Sequence, residues 1–188
     1  MKSKNIDLIV RLEYADRGDV VIQESWFHNG LLHNPRGPAL IHRDAATGRI
    51  TIEIWYEHGS IHREGAPAMV IHDAETGTVV REVWERHGKL EREGGLPAVV
   101  LYAPDGSQIG EEFYEAGQLH ATSGPALIRR DTATGVVVCE EWYRAGRLHR
   151  TDGPARIERD AVTGAILAKE YFELGRPRPL HPGPSPKP

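Results

Sequence analysis

Three kinds of side chain return along this chain at a spacing that could support chemistry. Imidazoles stand at His33, His62, His120 and His149, with Glu91 in the same place in the third copy. Carboxylates stand at Glu24, Glu53, Glu82, Glu111 and Glu140, and Lys169 ends that column. Aromatic rings stand at Trp26, Trp55, Trp84, Phe113, Trp142 and Tyr171. Within each column the step is 29 residues. Imidazoles could hold a metal, paired carboxylates could do acid–base work, and a ladder of rings could stack bases.

Each possibility meets a physical objection. Positions one repeat apart in a hairpin array lie two strands apart, about 9.6 Å. Ligands to one ion must converge within about 2.3 Å of it. One histidine column therefore cannot chelate one metal, and these rings are expected to hydrogen-bond near the Gly-Pro segment that follows them. No metal and no cofactor are expected. A carboxylate pair needs a separation of roughly 5–9.5 Å and a cleft. The spacing allows it, but a cleft repeated along an array is not an active site. The glutamates are expected to pair across strands with Arg63, Arg92 or Arg150, or to form an acidic stripe that meets a basic partner. Ring ladders that bind single-stranded nucleic acid sit in a positive groove, whereas glutamate lies two residues before most of these rings. The rings are expected to pack the repeat, with an exposed subset serving as anchors. Candidate partner-binding residues are thus Glu53, Trp55, Glu82, Trp84, Glu111, Glu140, Trp142, His62 and His149. Cys139, near the counterparts Ile52, Val80, Arg81 and Gly110, is expected to be a small buried residue. No catalytic residue is expected: no phosphate loop, nucleophile elbow, zinc-protease or dinucleotide motif is present.

The elements that position these columns follow from the rest of the unit. Glycine stands four residues after each ring, at Gly30, Gly59, Gly88, Gly117, Gly146 and Gly175. A Pro-Ala pair follows at Pro38-Ala39, Pro67-Ala68, Pro97-Ala98, Pro125-Ala126 and Pro154-Ala155. A second glycine closes another turn at Gly48, Gly77, Gly106, Gly135 and Gly164. Asn29-Gly30 is a two-residue hairpin signal. Asp44 to Gly48 fits a longer loop built on a type I turn. The segments between, such as Ile50–Ile54 and Val136–Cys139, are too short and too β-branched for helices. With no room for a crossover, the strands must run antiparallel and in sequence. The fold expected is all-β: an elongated, twisted antiparallel meander of 29-residue hairpin repeats, roughly 10 to 12 strands and about 50 Å across. Each repeat should supply two long strands, the second broken at Gly-Pro, where a donor is missing.

The third unit has one extra residue before Pro97 and one fewer in the turn before Gly106, so the ring returns on schedule at Phe113. Both changes fall where length is tolerated. The chain divides into an N-terminal half repeat that caps the array (1–25), five hairpin repeats (26–170), a C-terminal half repeat (171–175) and a proline-rich tail (176–188) expected to be disordered.

Composition narrows function. The net charge of −4 is mild, and gives neither a nucleic-acid nor a basic membrane-binding signature. No apolar run approaches a membrane span. The lone Cys139 and an N-terminus without a leader's apolar stretch point to the cytoplasm.

The unit running from Trp142-Tyr143 through Leu148-His149-Arg150 to Gly153-Pro154-Ala155 resembles the MORN repeat family, in a longer variant. The likeness covers about 150 of the 188 residues. The resemblance implies an antiparallel hairpin array and a non-catalytic role, since bacterial relatives of this type are often called antitoxin or immunity proteins. The functional expectation is a non-enzymatic protein-binding scaffold that occludes a toxin, with a basic toxin best suited to the acidic balance. The alternative is a structural or membrane-associated scaffold of the MORN type.

Overall fold

The computed structural model describes residues 8–15 and 19–178. The turn expected at Gly18, residues 1–7 and most of the proline-rich tail (179–188) lie outside the described residues.

The chain is all-β, and its strands follow one another in an antiparallel meander. Twelve strands form the main path: Ile9–Tyr14, Val21–His28, Leu40–Arg43, Ile50–Ile54, Met69–His72, Val79–Val83, Val99–Tyr102, Gln108–Glu112, Leu127–Arg130, Val137–Glu141, Arg156–Arg159 and Ile166–Glu170. A thirteenth, Leu31–Leu32, pairs with Val21–His28. Each strand bonds to its sequence neighbours on this path. No second layer makes extensive contact with the sheet among the described residues.

Both expected turns form. Asn29 and Gly30 have φ of 51° and 78°, the paired left-handed geometry that matches strand twist. In the other turn the Asp44 carboxylate accepts from the Ala46 and Thr47 N–H groups and the Thr47 hydroxyl. The Gly48 N–H closes on the Asp44 carbonyl at 2.8 Å. Asp73, Asp131 and Asp160 do the same with Thr76, Thr134 and Thr163. In the shortened third turn, Asp105 takes Ser107 instead. The compensating extra residue forms a short 3-10 turn, Glu93–Gly95.

One break was not expected. The strands stop at Gly-Pro, as read from the sequence, but from the second repeat onward they also stop at the aromatic column. Ile50–Ile54 ends before Trp55, and the chain continues as a separate two-stranded hairpin, Tyr56–Glu57 with Ser60–Ile61. Equivalent hairpins join Glu85–Arg86 to Lys89–Leu90, Tyr114–Glu115 to Gln118–Leu119 and Tyr143–Arg144 to Arg147–Leu148. A last one joins Phe172–Glu173 to Arg176–Pro177. Strand pairing thus includes Arg176–Pro177, within the segment assigned to the tail from the sequence. Pro177 is tolerated because it sits on an edge.

The joint is built on alanine. The Trp55 N–H donates to the Ala68 carbonyl at 2.8 Å, and the Ala68 N–H donates to Val83 of the next unit at 2.8 Å. Ala39, Ala68, Ala98, Ala126 and Ala155 all have no exposed surface, so a larger side chain would overpack the site. The hairpins also bond to one another. The N–H groups of Gly59, Gly88, Gly117, Gly146 and Gly175 donate to the carbonyls of Leu32, Ile61, Leu90, Leu119 and Leu148.

Candidate functional site

The carboxylate column lies on one face of the main sheet, between aliphatic neighbours. Glu53 stands opposite Ile41 on one side and Val70 on the other. Its partners are not Arg63, Arg92 or Arg150. Each glutamate reaches a diagonal neighbour near the end of the following strand. Glu24 meets Arg43 at 3.7 Å, and Glu53 meets His72 at 3.2 Å. Glu82 accepts from the Tyr102 hydroxyl at 2.7 Å. Glu111 meets Arg130 at 3.4 Å, and Glu140 meets Arg159 at 2.9 Å. Burial first, then the bond to Glu82, pushes the Tyr102 hydroxyl up to about 12. The column is engaged internally at every step, so it presents no bare acidic stripe.

The arginines expected there sit elsewhere because the backbone leaves the sheet at the ring. The guanidinium carbons of Arg63, Arg92 and Arg150 lie 3.8, 3.7 and 4.1 Å from the ring centroids of Trp55, Trp84 and Trp142. Each also reaches the carbonyl of its own proline, Pro67, Pro97 or Pro154. The rings are half-buried beneath this cover, and the arrangement is a cation–π clamp on the joint.

The histidine column does not turn toward the Gly-Pro segment. His33 Nδ1 accepts from the N–H of His58, at the tip of the next hairpin, at 3.4 Å. His62, His120 and His149 accept in the same way from His87, Ala145 and Leu174. Those tip residues have positive φ, and the histidines cover their N–H groups across the gap between units. His62 Nε2 lies 3.4 Å from Glu57 and His120 Nε2 lies 3.2 Å from Glu115.

This stacking brings together residues that the single-column reading kept apart. His33 and His58 stack at 4.5 Å between centroids, and His62 and His87 at 4.2 Å. His28 closes the first group, with its centroid 5.6 Å from that of His33. Burial first, then the neighbouring His58 and His28, holds His33 below the usual imidazole value. Successive members are 5 and 25 residues apart (28, 33 and 58), so no 29-residue column contains them.

The other face of the sheet carries two adjacent rows. In one, Leu40, Ile54, Met69, Val83 and Val99 face one another from strand to strand. Beside it run His42, Ile52, Ile71, Arg81 and Leu101, so that an exposed arginine interrupts the aliphatic residues. Ile54, Val83 and Val99 are buried, while Leu40, Ile52, Met69, Ile71 and Leu101 are half-buried. Further along, the first row becomes Glu112, Leu127, Glu141, Arg156 and Glu170. Arg129 bonds Glu112, and the Tyr114 hydroxyl donates to the same carboxylate at 2.9 Å. Arg156 lies 3.3 Å from Glu141, which also accepts from the Tyr143 hydroxyl at 2.8 Å. Burial and the paired glutamate raise both tyrosines to about 12. Cys139 is half-buried rather than enclosed, in keeping with a single-layer sheet. Burial, then Glu141, pushes its thiol up.

Shallow clefts recur between successive hairpins. One is lined by His62, Trp84, Arg92 and Leu96, and another by His33, Trp55, Glu57 and His62. Among the described residues no helix is long and apolar enough to cross a membrane. Comparisons with family models, curated proteins and solved structures give no match.

Proposed function

We propose that this chain is a non-catalytic protein-binding scaffold of the cytoplasm. Its most concrete form is an immunity or antitoxin protein that occludes a bacterial toxin. One observation carries the reading: among the described residues a single-layer sheet offers partly exposed apolar side chains, Leu40, Ile52, Met69, Ile71 and Leu101, beside buried Ile54, Val83 and Val99 and around the exposed Arg81. A preformed apolar surface ringed by charge is what a protein partner desolvates at an interface centre, and a rigid sheet loses little entropy on docking. The toxin identity rests on the resemblance of the repeat unit to the MORN family. Steering of a basic partner draws on the overall charge of −4, because the glutamate column is already paired.

In the test, Ile71→Gln and Met69→Gln remove apolar surface from this face without adding a charge that lacks the partners Arg129 and Arg156 have in Glu112 and Glu141, and circular dichroism checks that the double variant folds. The wild-type chain should recover one stoichiometric partner encoded beside it, and the double variant should bind that partner at least about tenfold more weakly. Recovery undiminished by the double variant, together with sedimentation of the chain on anionic vesicles at physiological salt, would replace this reading with a membrane-associated scaffold.

A further inference from the structure

We propose that His28, His33 and His58 form a binding site for a divalent transition-metal ion of the zinc class. One nitrogen from each ring lies within 4.8 Å of the others. A tetrahedral ion with nitrogens at about 2.0–2.1 Å holds them roughly 3.4 Å apart. Tilting the rings by about an ångström closes that difference without moving the backbone. Imidazole donors select zinc, copper, nickel or iron over magnesium and calcium, which take oxygen.

A second observation points to a ligand. The Nδ1 atom of His28 is buried and has no hydrogen-bond partner, a state that costs free energy in a folded protein. The neighbouring unit shows what is unusual here. At the equivalent place Glu57 faces His62 Nε2 at 3.4 Å, and with His87 these make a second, mixed group of one carboxylate and two imidazoles. His28 replaces that carboxylate with a third imidazole, which is a poor partner for another neutral ring but a good ligand beside it. In the three later units the tip residue is alanine or leucine, at Ala116, Ala145 and Leu174, so the full set of imidazoles occurs at the first junction alone.

The group is reachable. His58 is exposed, and His33 is the one member that lines the neighbouring cleft; water completes the coordination sphere. Ligation through His33 Nε2 moves that ring's proton to Nδ1 and gives up the 3.4 Å contact with the His58 N–H. Two donors then face each other, so the ring tilt that closes the site must also part them.

The experiment is competition for Zn2+ between the full chain, free of any histidine tag, and a chromophoric chelator in neutral buffer. The expected result is one ion per chain with a dissociation constant of about 1 µM or tighter. His28→Ala and His58→Asn should each weaken binding about 10–100-fold. Asparagine suits the left-handed tip, as Asn29 shows at φ 51°, and circular dichroism checks that each variant folds. His87→Asn should leave affinity unchanged. A dissociation constant weaker than about 100 µM, or one that His28→Ala and His58→Asn leave unmoved, would mean adventitious uptake by surface histidines and would overturn the proposal.

Discussion

The two halves of the sheet share a backbone and differ in what fills one row. From Leu40 to Val99 the row is aliphatic, and from Glu112 to Glu170 it is mainly ionic. The hydrogen-bonded joint does not change between them. Trp55 bonds Ala68 in the first half as Trp142 bonds Ala155 in the second, both at 2.8 Å. The fold therefore rests on the turns, the joint and the strand ladder. The row is free to specialise, provided that every charge placed in it is matched. Matching takes several residues at once. Glu141 has Arg156 and the Tyr143 hydroxyl, whereas Tyr56 in the aliphatic half follows Ile54 and has no such carboxylate two residues before it.

The largest break in this contrast comes from putting the second chemistry into the first half without its partners. Val99→Glu buries a carboxylate at a site with no exposed surface, directly opposite Glu112. It should cost about 3–5 kcal/mol, measured by urea denaturation with hydrogen exchange to localise the loss. The reverse exchange, Glu141→Val, should cost less, about 1–3 kcal/mol, because Arg156 and Tyr143 keep some access to water. It carries a second readout. The Tyr143 hydroxyl, now at about 12, should return toward its ordinary value in a spectrophotometric titration. A Tyr143 titration that does not move would show that burial alone sets it.

Acid should strike both halves alike, which makes it a control. Hydrogen bonds to Thr47 lower Asp44, and those to Thr76, Ser107, Thr134 and Thr163 lower Asp73, Asp105, Asp131 and Asp160. A carboxyl depressed in the folded state adds stability above its unfolded value, near 3.8, and that stability is lost as pH falls through the folded value. Thermal melts should be insensitive to these groups near neutrality and should fall steeply below about pH 4, with exchange rising in both halves together. The smallest effect concerns the hairpin tips. The first half uses Asn29, His58 and His87 at positive φ, and the second uses Ala116, Ala145 and Leu174. Asparagine tolerates that conformation better than alanine. Ala145→Asn should stabilise the second half by about 0.5–1 kcal/mol, whereas His58→Asn should change stability little in metal-free buffer.

Much of this architecture is legible in residue types. Asn29-Gly30 and Asp44 to Gly48 specify their turns locally, and short β-branched runs such as Ile50–Ile54 leave only strands between them. The 29-residue step then fixes sequential pairing. The break at Trp55 is not legible. Trp55, Tyr56 and Glu57 extend a run with good strand propensity, and only the bond from Trp55 to the fully buried Ala68 turns the chain out of the ladder. Missing that turn also misplaced the partners of the glutamates, since Arg63 lies beyond it on the Trp55 ring. The meeting of His28, His33 and His58 needs the offset between stacked hairpins, which depends on geometry that repeat spacing does not contain. The half-buried row was hidden for a related reason. Alternation shows that both faces carry apolar side chains, but it does not show that one layer is all there is.

The bond from each tip glycine to the unit before it has a consequence for how such a chain can change in length. Both junctions of any internal unit present the same donor and the same acceptor, Gly88 to Ile61 on one side and Gly117 to Leu90 on the other. A segment of 29 residues can be excised or duplicated, and the severed ends still fit. The protein is in effect a ruler graduated in steps of about 9.6 Å, whose reach evolution or an engineer can alter by copying DNA rather than by redesigning a surface.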